Sequence, residues 1–448
     1  MTLAGETSSS ESSQPLLNAS ADLLSSWLDS AQGPSVSDPS IFRQLAAKWE
    51  DEFFKDMKRL NVEQPTTLTR VSEYLPEIVE FVEKIVARGY AYEDSGYQGD
   101  STKKNVWFDT KAFDGAKEKE PLSKEEDYIH SYAKLAPWNK GNRELLEEGE
   151  GSLSTGAATT SGKRSAADFA LWKASKPGEP AWPSPWGPGR PGWHIECSVM
   201  ASAILGPQID VHSGGVDLMF PHHDNEIAQA EACLGCSQWV NYFLHTGHLH
   251  IEGLKMSKSL KNFISIDEAL ERFSARQLRL AFLLQPWNAK MDFKEAAMAE
   301  VKSTESTINN FFSMLKAHRS AFQARGTSWS DGKHYFHKAE AQVMSDLQTA
   351  QADFRKAMCD SFDTPTGFTV VLDLISKVNV YERNTKRSEL EWSVLAEAGR
   401  WVTEMMSMLG LHAGPKFEGE IGWGSDTAGV AEGSSQNVSV VRPSLWHC

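Results

Sequence analysis

The chain has 448 residues, enough for two or three domains with separate cores, and an ordinary composition of 40% hydrophobic and 23% charged residues. Its formal net charge of -15 excludes a protein that coats nucleic acid non-specifically, yet leaves room for one that binds a single folded RNA through local basic patches. No apolar run approaches the ~20 residues of a membrane helix, and Cys197, Cys233, Cys236, Cys359 and Cys448 are too few and scattered for a disulfide framework, which fits a reducing compartment.

Residues 1–38 are Ser-rich and weak in apolar periodicity, so they read as a disordered lead. They carry neither an apolar core nor a basic flank (the first basic residue is Arg43), which argues against a secretory signal or transit peptide. Ile41, Leu45, Trp49, Phe53, Met57 and Leu60 then recur at helical spacing, and a second helix runs from Pro76 to Ala87 and stops at Gly89. Runs at Tyr90–Tyr92 and Val106–Phe108 predict strands. The charged, Gly- and Ser-rich stretch from Phe113 to Lys163 predicts an insertion loop with little fold of its own.

At Asp168 the composition turns dense in Trp, Gly, Pro and His. Gln208–His212 reads as a buried strand, Ser213–Gly215 as a tight turn, and Pro221 as the first position of a helix reaching about Leu234. Strand, Gly-rich turn and helix in that order predict a parallel α/β unit. Beyond Asp267, amphipathic segments near 267–284, 296–322, 334–359, 365–381 and 389–411 predict a helical domain over 296–412, with a disordered tail over 413–448. The predicted fold class is α/β followed by an α-helical bundle.

His222 and Glu226 lie four apart, so a helix projects both from one face. With Cys197 upstream they form a thiolate, imidazole and carboxylate set suited to zinc with a vacant position. On spacing alone the same residues also fit helix-capping histidines and a core thiol. Cys233 and Cys236 are rejected as ligands: Cys233 is 11 residues beyond His222, about 16 Å along an unbroken helix. Lys255 and Lys258 bracket Met256, Ser257 and Ser259. Flexible ammonium groups suit the charge on a leaving pyrophosphate, and small hydroxyls admit close backbone approach, although a Lys/Ser loop alone also fits a solvated turn.

Lys255-Met-Ser-Lys-Ser259 resembles the second signature of class I aminoacyl-tRNA synthetases. Gly189-Arg-Pro-Gly-Trp-His-Ile-Glu-Cys197, the run Asp210 to Glu226 and the run Asp168 to Trp186 resemble the cysteinyl-tRNA synthetase family in its eukaryotic cytosolic form, over about Leu23 to Leu411. The resemblance implies a Rossmann-like class I catalytic domain, present in part, with residues 39–167 as its connective region and 168–295 as its C-terminal half, followed by an anticodon-binding bundle. It also implies a cytoplasmic enzyme that joins cysteine to ATP (with Mg2+) and passes the cysteine to tRNA-Cys. By the same resemblance Cys197, His222 and Glu226 match three of four Zn2+ ligands; Trp193, His212 and Asp217 match residues around the substrate cysteine; and residues 255–259 match the ATP loop, with Lys255 and Lys258 catalytic. No membrane association is implied, and no oligomeric state.

Two family features are absent: no cysteine precedes Cys197, and residues 1–40 contain no histidine for a His-Ile-Gly-His signature. His245-Thr-Gly-His248 imitates that signature but stands a few residues before Lys255, where the family does not place it. A truncated gene model, a partner chain and a decayed paralogue are the three explanations, and the retained site residues favour the first. The expectation is therefore that these 448 residues alone form no adenylate. Two alternative functions remain, an ATP-dependent cysteine ligase acting on a small amine and a non-catalytic remnant that binds tRNA or a partner.

Overall fold

Apolar spacing translates into helices through most of the chain, and the exceptions cluster around the candidate site. The structure, a computed structural model, describes residues 20–35, 39–96, 100–118, 121–122, 128–148, 162–256, 262–324, 336–413 and 421–424. It divides into two compact units. One comprises Met1–Lys55, Gln64–His248 and Asn288–Lys290; the other comprises Asp56–Glu63, Leu249–Trp287 and Met291–Cys448.

In the first unit, helix α1 (Ala21–Gln32) occupies part of the segment expected to be disordered. Leu24, Trp27 and Leu28 follow the i, i+3, i+4 spacing of a helix face, a pattern that the Ser-rich surroundings hid. The rest of that lead, residues 1–19 and 36–38, lies outside the described residues. Helix α2 (Pro39–Arg59) forms as predicted, but its stripe is exposed: Ile41 is 49%, Leu45 55%, Trp49 62% and Phe53 56% accessible. Helix α3 (Leu75–Ala87) buries Ile78, Phe81, Val82 and Ile85, one turn apart on one face, and Gly89 follows in the left-handed conformation that ends helices.

Strands β1 (Ala91–Glu93) and β2 (Val106–Phe108) match the sequence expectation. Short helices α4 (Thr110–Phe113) and α5 (Arg143–Glu148) follow. Two strands that the sequence reading missed, β3 (Phe169–Ala174) and β4 (Gly189–Pro191), complete an antiparallel sheet in the order β1-β2-β3-β4. Asp168, buried just before β3, accepts hydrogen bonds from the Tyr92 hydroxyl at 2.8 Å and from the Thr110 hydroxyl at 2.9 Å, which ties the strand to the start of α4. Helix α6 (Trp193–Leu205) starts where Gly192 passes the Ala170 carbonyl so closely that a Cβ there would lie 1.9 Å from its oxygen.

Strand β5 (Ile209–Gly215), helix α7 (Asp224–Leu234) and strand β6 (Val240–Thr246) form the predicted parallel unit, with His212 opposite Phe243 and Gly214 opposite His245. Two details differ from expectation. Ser213–Gly215 is not a turn but the end of β5. The helix is α-helical only from Asp224 rather than from Pro221: Met219–His223 form a π-type turn, broken at Phe220 by extended backbone (φ -137, ψ 133), that leads into it. A third correction concerns the expected loop: of residues 113–163, the segment 128–148 is packed, with His130, Tyr132, Ala133 and Ala136 all 2% exposed or less. Residues 119–120, 123–127 and 149–161 of that stretch lie outside the described residues.

In the second unit, β7 (Leu249–Ile251) and β8 (Leu254–Lys255) form a hairpin turned at Glu252 and Gly253, both at positive φ. The predicted helix 267–284 is two helices, α8 (Ile266–Arg272) and α9 (Ala275–Leu283), because Ser265 with Glu268 and Ser274 with Gln277 each build a capping box. Strand β9 (Met291–Phe293) pairs parallel with β7. Helices α10 (Glu295–Ala324), α11 (Lys338–Cys359), α12 (Thr364–Asn384) and α13 (Trp392–Met408) then follow the predicted segments. Ile308, Leu315, Val371, Val378, Val394 and Val402, all fully buried, lie in their shared core, and each contributes about 1.5–3 kcal/mol by burial. The tail is the last correction: Ile421 is 5% and Trp423 2% exposed within this core, while 414–420 and 425–448 lie outside the described residues.

Candidate metal centre

Helix α7 reads as hydrophilic, yet every residue from Asp224 to Cys233 is buried. Buried carboxylates require partners, and residues 132–136 supply them. Asp224 accepts from the backbone N–H groups of Leu135 at 2.8 Å and Ala136 at 3.2 Å. The Tyr132 hydroxyl donates to Asn225 Oδ1 at 2.8 Å, and Lys134 Nζ meets Glu231 at 2.6 Å. On the α6 side, the Ser198 hydroxyl donates to Gln229 Oε1 at 2.9 Å. Burial still raises the Asp224 carboxyl to about 6, against these N–H bonds. The packed loop thus fixes the helix that carries Glu226.

Glu226 is 0% exposed. Its Oε2 lies 2.6 Å from His212 Nε2 on β5, and its Oε1 lies 2.7 Å from His222 Nε2. Burial would push this carboxyl up, but the two imidazoles outweigh it and hold it at about 2. Oε1, despite the short contact, receives no well-directed hydrogen bond. Cys197, on α6, completes the set: its sulfur and a ligand atom each of His222 and Glu226 lie within 4.8 Å of one another. Burial first, and then the Glu226 and Glu196 carboxylates, raise the Cys197 thiol above its ordinary value.

A second set, His212, His223 and Glu226, also fits within 4.8 Å and shares the same carboxylate. The residues favour the first for zinc. Ligand atoms 2.0–2.3 Å from one ion sit about 3.5 Å apart, and a thiolate is a softer donor than imidazole. Oε1, facing His222, is the oxygen without a directed partner, whereas Oε2 is engaged by His212. His222 Nδ1 is 2.7 Å from His194 Nδ1, a hydrogen bond that orients the ring and leaves Nε2 toward Glu226. Among the described residues, Cys233 and Cys236 join no such group, and α7 runs unbroken between Glu226 and Cys233.

Of the other residues singled out by sequence, Trp193 stands beside the set, its ring 4.4 Å from that of His222 and 44% exposed. Asp217 is exposed in the turn after β5, and no hydrogen bond or ion pair joins it to the cluster among the described residues. Lys255 and Met256 belong to the second unit, where the Lys255 carbonyl accepts from Asn262 Nδ2 at 3.2 Å. Ser257, Lys258 and Ser259 lie outside the described residues.

Three histidines have places that the sequence reading did not give them. His194 orients His222; His223 Nδ1 lies 2.9 Å from His245 Nε2. Burial lowers His223 to about 4 and His245 below its ordinary value, so both favour the neutral ring. Only the strand register, with Gly214 opposite His245, reveals the latter's place. Gly214 itself makes room: a Cβ there would lie 2.7 Å from His223 Cε1. Gly214→Ala is expected to displace that ring and cost about 1–3 kcal/mol, measured by urea unfolding; a cost below about 0.5 kcal/mol contradicts the tight fit.

The architecture is that of the class I synthetases. The methionyl-tRNA synthetase of Mycobacterium tuberculosis shares it at TM-score 0.55 and 15% identity, over 82% of this chain and 79% of that one. Residues 34–303 match the family model described as tRNA synthetases class I (C) catalytic domain, and residues 353–413 match the DALR domain. The chain belongs to the class I (C) tRNA synthetase family. Among its relatives, the cytoplasmic cysteine–tRNA ligase of Drosophila pseudoobscura pseudoobscura is 46% identical over 411 residues, 91% of this chain and 52% of that protein. The human enzyme of the same name is 46% identical over 398 residues, 88% of this chain and 50% of its own length. The chain thus spans about half the length of the curated relatives it matches.

Proposed function

We propose that the chain acts in cysteine–tRNA ligation, the ATP-dependent activation of cysteine and its transfer to tRNA-Cys, in the cytoplasm as its relatives' names state. The observation that carries the reading is the convergence of Cys197, His222 and Glu226 with an undirected carboxylate oxygen among them. In this reading those residues hold Zn2+, whose open position when bound takes a substrate thiolate far better than a serine hydroxyl. His194 and His212 orient the ligands, and the exposed Trp193 indole, with His212 and Asp217, lines the pocket of the substrate cysteine in this reading. Lys255 and Lys258, with Met256, Ser257 and Ser259, take the phosphates of ATP-Mg2+, where ammonium groups on long stems neutralise the developing charge.

An amine-directed cysteine ligase would use the same metal set, but the long helical unit with its DALR match favours tRNA. No helix among the described residues is long and apolar enough to cross a membrane. The test is binding to the zinc-loaded chain. Cysteine is expected to bind roughly 100-fold more tightly than serine by calorimetry, and labelled tRNA-Cys is expected to bind. Equal affinity for the two amino acids overturns the metal reading, and amine ligation without tRNA binding favours the alternative.

A further inference from the structure

The Glu226 carboxylate faces a different set of side chains through each of its oxygens. Oε1 meets His222 Nε2 at 2.7 Å, on the Cys197 side. Oε2 meets His212 Nε2 at 2.6 Å, and His212, His223 and Glu226 offer ligand atoms within 4.8 Å of one another. An ion held by Cys197, His222 and Oε1 makes no use of Oε2, His212 or His223. Those three supply two imidazoles and a carboxylate oxygen, donors that suit a borderline divalent cation. One oxygen turned to each of two donor sets is the form of a carboxylate bridge, and the ions of two-metal sites stand about 3.5–4 Å apart.

His223 is oriented for such a role. Its Nδ1 lies 2.9 Å from His245 Nε2, a hydrogen bond that fixes the ring and leaves Nε2 as the donor atom. Space beside that nitrogen is open because residue 214 has no side chain: a Cβ on Gly214 would lie 2.9 Å from His223 Nε2. The His212 and His223 rings are 4.3 Å apart and inclined by 36°. One contact has to yield, that of His212 with Glu226, since two ligands of one zinc ion sit roughly 3.3 Å apart. The part-exposed His212 side chain has room to move, whereas Glu226 is enclosed. Hydrogen bonding to the carboxylate accounts for His212 alone. It gives no reason for a second imidazole, 1% exposed and anchored by a third, to stand against the same group.

We propose that His212, His223 and Oε2 of Glu226 form a second site for a divalent cation of the zinc class, bridged through Glu226 to the Cys197 site. The proposal rests on the metal reading above for the first ion only. Three ligands without a thiolate hold zinc less tightly than the Cys197 set, and the charge of the first ion opposes the second. The second ion therefore exchanges with solution: its occupancy follows free metal, and dialysis removes it while the first ion stays.

The experiment titrates the metal-free full chain with Zn2+ and with Co2+. Equilibrium dialysis counts the ions bound, and sulfur-to-cobalt charge-transfer absorption marks an ion on the thiolate. The parent is expected to bind two equivalents in the presence of free metal and to keep one after dialysis against metal-free buffer. Only the tighter cobalt ion should show the sulfur band. His223→Asn is expected to lose the exchangeable equivalent and to keep the other with its band. Cys197→Ser is expected to keep only the exchangeable equivalent, without the band. If His223→Asn fails to fold, His212→Gln, at the part-exposed ligand, decides with the same expected loss. A single equivalent in the parent at saturating metal, or a second equivalent that persists in these histidine variants, overturns the second site and leaves the Cys197 site standing. Dialysis-stable metal that survives Cys197→Ser and disappears in His223→Asn overturns both.

Discussion

Glu226→Ala is expected to abolish metal binding and to destabilise the metal-free chain by about 3 kcal/mol. The carboxylate is fully buried and stands within 2.7 Å of two imidazole nitrogens. Alanine removes the acceptor of both nitrogens; His222 is buried, and a buried orphan costs about 1–3 kcal/mol, whereas the part-exposed His212 can turn to water. Cys197→Ser separates the two effects. Serine preserves the shape of the thiol and breaks no buried ion pair, so metal is lost while the metal-free stability stays within about 1 kcal/mol of the parent. The loss of affinity in both variants should exceed the roughly 10–100-fold that removal of a supporting partner costs. Metal content after dialysis, and urea unfolding in the presence of a chelator, read the two quantities. Retention of metal by Cys197→Ser, or a Glu226→Ala chain as stable as its parent, would sink the assignment.

The approach of His222 to Glu226 was legible because it depends on local geometry. A four-residue interval on a helix fixes which side chains meet, so spacing alone pairs His222 with Glu226. Helices α2, α3 and α10–α13 were legible for the same reason: each carries apolar residues at the helical period. What supports the metal set was not legible. Helix α7 inverts the usual pattern by burying Asp224, Asn225, Glu226, Gln229 and Glu231, and a rule that sends charge to the surface reads such a helix as solvated. Its partners come from Tyr132, Lys134, Leu135 and Ala136, about ninety residues earlier. Two of those four act through backbone N–H groups, which carry no signature in the sequence. The charged composition of 113–163 therefore suggested a loop where 128–148 forms a wall.

Strand boundaries failed for a related reason. Ser213, Gly214 and Gly215 have the composition of a turn, but pairing with Leu244, His245 and Thr246 holds them extended. Here Gly214 serves the closeness of His223 rather than a reversal of the chain. His245, set aside in the sequence as an imitation of the signature, is a partner of His223. Local resemblance identified the family; the register of β5 against β6 assigned the histidines.

Trp423→Ala is expected to cost the helical unit about 3–5 kcal/mol, although its sequence surroundings gave no element to expect. The indole N–H donates to Asn309 Oδ1 at 2.8 Å, and the ring stands 5.9 Å from Phe312. The Arg276 guanidinium, 4% exposed, lies over the indole at 4.4 Å and donates to the carbonyls of Leu411 at 2.9 Å and Trp423 at 2.7 Å. Alanine removes a buried ring and also uncovers a buried cation, which loses up to about 2 kcal/mol of attraction to that ring. Trp423→Phe keeps the ring and loses the N–H bond, so its cost should be about 1–1.5 kcal/mol. Guanidinium unfolding of the full chain compares the two variants. An alanine variant within about 1 kcal/mol of the parent would mean that Ile421–Gly424 merely rests on the helices. A cost in the expected range makes this segment part of the core, Ile421 included.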